Sequence, residues 1–301
     1  MTRQLALVAF AGLAFGASAV QAQVNSFILN DGLFRYSMDT TNGGAAARTG
    51  VGGGISSNFG LIGGNTSAGS ANVDADYLYQ NWFWYRTAGD NREYALSNMT
   101  FSVGIGGSSI YTRYVEPIAG GVGPNEALTF DLTYTLNQIS ATQAAVTINW
   151  SITNNAFSTQ TVSFFSYADS DVPPSLSNNS SSYVATTGLN YYRNDETAAA
   201  NGGFFTMGAD LNLNNLWQIG PWLSAGSPRA DLTNGVVNDL TNTNNTPLGD
   251  NAGALQWQNL VLAPGGNVGG RITLGYNYVV PAPGAAALLG LGALAMGRRR
   301  R

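Results

Sequence analysis

The sequence predicts an all-β protein, an antiparallel β-sandwich of jelly-roll or supersandwich type, and three observations carry that expectation. Apolar residues recur with a period near two over most of the 301 residues. Runs rich in β-branched and aromatic residues alternate with clusters of Gly, Asn, Ser and Thr. Residues 23 to 280 contain no helical stripe bounded by caps. About twelve strands, each apolar on one face, bury those faces most simply by stacking as two sheets. No repeat of roughly 20 to 50 residues is present, which argues against a propeller or solenoid.

In chain order, the first segment reads as a secretory signal peptide. Arg3 precedes an apolar run from Leu5 to Phe15, and Val20-Gln21-Ala22 supplies a small-residue cleavage site, with Ala17-Ser18-Ala19 as the alternative. Residues 1–22 are therefore expected to form an N-terminal signal helix, and 23–279 the β body. Phe27 to Asn30 and Leu33 to Met38 suit a hairpin, because Asp31-Gly32 tolerates the positive φ of a tight turn. A loop rich in Gly, Ala and Ser follows from Thr40 to Asn72, with one short strand in it.

The clearest strands are then Tyr77 to Thr87, Tyr94 to Asn98, Thr100 to Ile105, Ile110 to Val115, Leu128 to Leu136, Ala144 to Thr153 and Thr159 to Tyr167. Val146, Ile148, Trp150 and Ile152 fall on one face of their strand, with Thr147, Asn149 and Ser151 on the other. Further strands are expected at Tyr183 to Tyr192, Gly203 to Met207, Leu216 to Ile219, Leu255 to Leu262 and Gly270 to Val279.

Composition excludes several chemistries. The chain has no His, no Cys and no Lys. A Ser-His-Asp triad, a thiolate nucleophile, a Schiff-base amine and a P-loop lysine are thereby removed, and a zinc or copper site loses its usual ligands. Without disulfides the body must be held by its core, which is feasible at more than about 200 residues. It carries 8 Arg against 17 acids, a net charge of −9. Such a surface repels phosphate, so nucleic acid is not an expected partner.

Carboxylate chemistry survives. Asp169 and Asp171, or Asp74 and Asp76, could serve as the carboxylate pair of a glycoside hydrolase, but Asp-x-Asp at a strand end also reads as an ordinary turn. Asp169 and Asp171 could instead hold Ca²⁺ with loop carbonyls and Asn178 or Asn179, although the full calcium-loop signature is missing. No other cofactor is expected. In Trp82-Phe83-Trp84-Tyr85, alternation puts Trp82 and Trp84 on one face. That face is either an exposed platform for sugar rings, flanked by Arg86 and Arg92, or one side of a strand covered on both sides. Arg86, Arg92 and Glu93 suit an ion pair at a hairpin end.

The last 22 residues have three parts: the box Val280-Pro281-Ala282-Pro283-Gly284, an uncharged run to Gly297, and the cluster Arg298-Arg299-Arg300-Arg301. As a helix, Gly284 to Gly297 would be roughly 21 Å long, short against a hydrocarbon core of about 30 Å. Four terminal Arg would hold that end on the cytoplasmic side. This arrangement resembles the PEP-CTERM sorting signal, with Ala282 where the namesake motif has Glu. The resemblance implies export by the Sec machinery, a short C-terminal transmembrane helix anchoring the protein transiently in the inner membrane, cutting near the box by an exosortase-type enzyme, and delivery to the cell surface or extracellular matrix. Residues 81–86, 92–96 and 165–171 also resemble the bodies of proteins with such tails, a likeness that implies no activity. The sequence thus favours a non-enzymatic surface or matrix protein, with an extracellular carbohydrate-binding sandwich, and then a carboxylate glycosidase, as the alternatives.

Overall fold

A computed structural model describes the chain between residues 26 and 277, except 32–33, 40–55, 62–77, 79, 97–98, 117–126, 171, 173–177, 187–188, 198–202, 211–214, 223 and 246–247. Its strands are β1 (Ser26–Asp31), β2 (Phe34–Asp39), β3 (Ser56–Leu61), β4 (Gln80–Thr87), β5 (Tyr94–Ala95), β6 (Thr100–Gly106), β7 (Ser109–Val115), β8 (Leu128–Gln138) and β9 (Gln143–Asn154). They continue with β10 (Gln160–Asp169), β11 (Asn179–Ala185), β12 (Leu189–Glu196), β13 (Phe204–Asp210), β14 (Asn215–Pro221), β15 (Thr243–Asn244), β16 (Asn251–Leu262) and β17 (Asn267–Asn277), and one helix, α1 (Pro228–Thr233), lies between β14 and β15.

The strands form two sheets. One has nine strands in the order β1-β2-β3-β4-β10-β16-β14-β15, with β5 added beside β4; the other has eight, in the order β11-β12-β13-β17-β9-β8-β7-β6. The described pairings are antiparallel except that between β14 and β15. In the eight-stranded sheet β6 to β9 form a meander, and β6 and β7 are joined by a two-residue turn in which Gly107 takes φ +57°.

Alternation puts one row of each strand into the space between the sheets. Phe164 of β10 lies 4.9 Å from Trp150 of β9 and 5.6 Å from Trp257 of β16, ring centre to ring centre, and Tyr85 of β4 lies 4.8 Å from Phe130 of β8. Tyr36 stacks on Tyr134 and Phe34 meets Tyr276 edge-on, so the same aromatic layer continues beneath β2. Each such ring buries about 150–250 Å² and adds a preferred contact geometry. With no cysteine present, the fold rests on this buried layer rather than on disulfides. At one side the sandwich is shut by Tyr183 of β11 stacked on Trp217 of β14 at 4.2 Å.

Several sequence expectations are corrected. The membrane-anchored picture does not stand: among the described residues no helix is long and apolar enough to cross a membrane, and α1 has six residues. Among the described residues the fold is a largely antiparallel β-sheet protein, and the expected inner-membrane anchor finds no helix there to carry it. Residues 1–22 and 280–301, to which the signal helix and the transmembrane helix were assigned, lie outside the described residues. Among the described residues the strands number seventeen rather than about twelve. The expected strand from Tyr183 to Tyr192 is a hairpin of β11 and β12, with Thr186 and Leu189 closing the turn. The helix α1 was not expected either. Ser227 caps it by accepting from the Ala230 N–H at 3.0 Å, and Pro228 occupies the first turn.

Candidate functional site

The residues singled out for sugar binding converge on the outer face of the nine-stranded sheet. Antiparallel register sets Tyr167 opposite Trp82, Phe165 opposite Trp84 and Asp169 opposite Gln80. Trp82, Trp84 and Tyr167 thus share one face, with ring centres 5.3 to 6.0 Å apart. Phe83 and Tyr85 point the other way, into the layer between the sheets. Both faces of β4 are covered: Trp82 is 3% exposed and Trp84 1%.

The cover on the outer face is the segment from Trp222 to Leu240, which carries α1. Arg229 lies over the Trp82 ring at 4.7 Å and over Trp222 at 5.2 Å, a guanidinium between two indoles. Leu232 and Leu240 are buried from the same segment. The segment is fastened by Arg86, which donates to Glu93 and to the Asn238 carbonyl at 2.6 Å each, bonds Asp239, and lies 5.5 Å from the centre of Phe165. Glu93, 1% exposed, also accepts from the Asn238 N–H at 3.0 Å. The ion pair expected at a hairpin end is thus a buried clamp that holds the cover on the sheet. Gln256 and Gln258 donate to Asp239 from below.

Electrostatics follow from this packing. Burial raises the pKa of Glu93, outweighing the stabilisation of its charge by Asn238 and Arg86. Asp239 is pushed up by burial, but its hydrogen bonds from Gln256, Arg86 and Gln258, with the Arg86 charge, leave it below its ordinary value. The Tyr167 hydroxyl is held well above the usual phenol range by burial and then by the charge of Asp169. It remains protonated at neutral pH and is no nucleophile. Asp250 is raised by burial. Among the described residues, the indole nitrogens of Trp82 and Trp84 and the Tyr167 hydroxyl are buried without a hydrogen-bond partner.

The other proposed ligands are placed differently. Asp169 is 2% exposed at the end of β10; Asp171, Asp74 and Asp76 lie outside the described residues. Asn179 is buried, and its side chain closes the loop after β10. Its Oδ1 accepts from the Val172 N–H at 3.0 Å and its Nδ2 donates to the Val172 carbonyl at 2.7 Å. Asn194 donates to the same Oδ1 at 3.2 Å and to Ser170. Of the two amide oxygens considered for Ca²⁺, that of Asn179 is therefore already committed within the protein. Among the described residues no group of three or more carboxylates could hold a metal ion.

The polar cluster that sequence reasoning missed is this one, joining the end of β10 to β11, β12 and β16. Tyr192 exchanges a hydrogen bond with Ser170 at 2.8 Å and donates to the Asn251 carbonyl at 3.1 Å. Its ring lies where a side chain on Gly253 would be, 2.4 Å from an added Cβ. The glycine was the one signal available, since a Gly inside a strand marks a close approach. No protein-family model matches the chain, and no curated protein matches it.

Proposed function

We propose that residues 23–279 form an exported, non-enzymatic module of the cell surface or extracellular matrix, directed there by residues 280–301 acting as an exosortase-type sorting signal. The observation that carries the reading is the order of the C-terminal parts: Val280-Pro281-Ala282-Pro283-Gly284, an uncharged run, then Arg298 to Arg301. No membrane-anchored stage belongs to this reading. The body supports it in two ways. A core of stacked aromatic rings gives a disulfide-free domain suited to display outside the cell. The aromatic face best suited to a sugar is instead packed under Arg229 and α1, and stacking on a sugar needs an accessible ring. That burial favours a structural module over the carbohydrate-binding alternative.

The test uses an epitope inserted after Phe157, which is 88% exposed in the β9–β10 connection. Antibody is applied to intact producing cells bearing the tagged full chain or the same chain without residues 280–301. Surface label with the full chain, lost or redirected on truncation, is expected. No label with either chain overturns export, and equal label with both overturns the sorting role.

A further inference from the structure

We infer that β6 is a homotypic docking edge through which two copies of this chain join their eight-stranded sheets. β6 is the last strand of its sheet, seven residues long and without a charged side chain. Natural sheets protect such edges with charges, prolines, short strands or a covering element, because unpaired N–H and C=O groups recruit another strand.

The other edges are protected. Along β11 the Asn179 carbonyl accepts from the Gly249 N–H and the Ser181 carbonyl from Asn244, so two of its carbonyls are already engaged by the segment around β15 and β16. β15 has two residues. β1 ends in Asp31, whose carboxylate accepts from the Gln138 N–H at 2.6 Å and ties that edge to the opposite sheet. Among the described residues, no backbone hydrogen bond from any element other than β7 reaches β6.

A second observation points to the occupant. The odd-numbered residues of β6 pair with Tyr114, Thr112 and Ile110 of β7, all buried, so Phe101, Val103 and Ile105 are at the register positions of the core row. Val103 is half-buried against the core, and further along the edge Ile105 is 62% exposed. β1 of the facing sheet packs over β7 and β8, inside the edge. Opposite residues in an antiparallel pair share a face, so a two-fold axis at Val103 pairs all seven residues in register, Val103 with Val103, Ile105 with Phe101 and Ser102 with Gly104. The apolar row of one copy then continues into that of the other. A Cβ at Gly104 or Gly106 would meet nothing within 4 Å, so the outer face of β6 is bare at those two positions. The chain is acidic overall, with a net charge of −4, and an uncharged edge is where two copies meet with least repulsion. This inference does not rest on export or sorting.

The full chain is purified and its mass in solution measured by sedimentation equilibrium, together with Ile105→Lys, which adds an inward-pointing edge charge. The wild type is expected at twice the 31.5 kDa chain mass and Ile105→Lys at the single-chain mass, with thermal unfolding of the variant showing that it remains folded. The register is read from cysteines, since the chain has none of its own. Residues opposite each other lie about 4.5–5.5 Å apart at Cα, inside the disulfide range. Val103→Cys should therefore cross-link into a dimer on oxidation, and Ser102→Cys, facing Gly104, should not. A wild-type monomer overturns the inference. So does a dimer that persists in Ile105→Lys, or one that Val103→Cys fails to cross-link.

Discussion

Replacing Arg86 by Ala removes the centre of the clamp, and the cost can be worked from the burial of its partner. Glu93 is 1% exposed and receives Arg86 at 2.6 Å. Left ionised without its counter-charge, a buried carboxylate costs about 3–5 kcal/mol. The folded chain has a cheaper route, which is to protonate Glu93. From the ordinary value of 4.5 to pH 7 that route costs about 3.4 kcal/mol, at roughly 1.4 kcal/mol per pH unit. Arg86→Ala should therefore lose about 3 kcal/mol at pH 7. The deficit should shrink by roughly 1.4 kcal/mol for each unit between pH 7 and pH 5, because protonation becomes cheaper. Arg86→Ala/Glu93→Gln should lose that pH dependence. In the wild type the signs are opposite for the two acids. The raised Glu93 makes folding more favourable as pH falls through its folded pKa, whereas Asp239, lowered below 3.8, gives a contribution that is lost as pH falls through its own. The assay is urea unfolding followed by tryptophan fluorescence at pH 7 and pH 5. A deficit under about 1 kcal/mol, or one independent of pH, would refute the reasoning.

Three further outcomes are expected. Gly253→Ala drives a methyl into the Tyr192 ring, which its two hydrogen bonds hold in place, and should cost about 1–3 kcal/mol in denaturant unfolding; an unchanged midpoint would show that the ring moves freely. Ser227→Ala should cost about 1 kcal/mol through the lost helix cap and increase acrylamide quenching of tryptophan fluorescence as α1 lifts from Trp82. Burial holds the hydroxyls of Tyr114, Tyr134 and Tyr167 well above the ordinary value of 10, so stability is unaffected below pH 10 and falls above it as the unfolded chain ionises first. Absorbance at 295 nm should then show part of the 14 tyrosines ionising only together with unfolding, and a single smooth titration near pH 10 would contradict the packing.

How much of this was legible beforehand depended on whether one face of a strand was wet. β9 alternates cleanly, and Val146, Ile148, Trp150 and Ile152 are all buried, with Ala144 and Asn154 in the same row. β4 reads as a continuous apolar run, which identifies a strand but leaves the outer cover undecided, because that cover comes from residues some 140 positions later in sequence. The β11–β12 hairpin was missed since Asn179 to Ser182 is polar; Asn179 and Ser181 are buried against Asn194 of β12 through hydrogen bonds. The helix α1 was missed because six residues are too few for an apolar stripe to appear. Arg86 and Glu93 were paired correctly, and their role was understated because burial is a property of the distant segment that covers them.

The central proposal is that the chain is exported and processed at both ends, and intact mass spectrometry of the protein recovered from the cell surface and the medium tests it most directly. The expected mass lacks residues 1–22 and ends at or near the Val280–Gly284 box. An exported species that still carries all 301 residues, or the absence of the protein from both fractions, would contradict it.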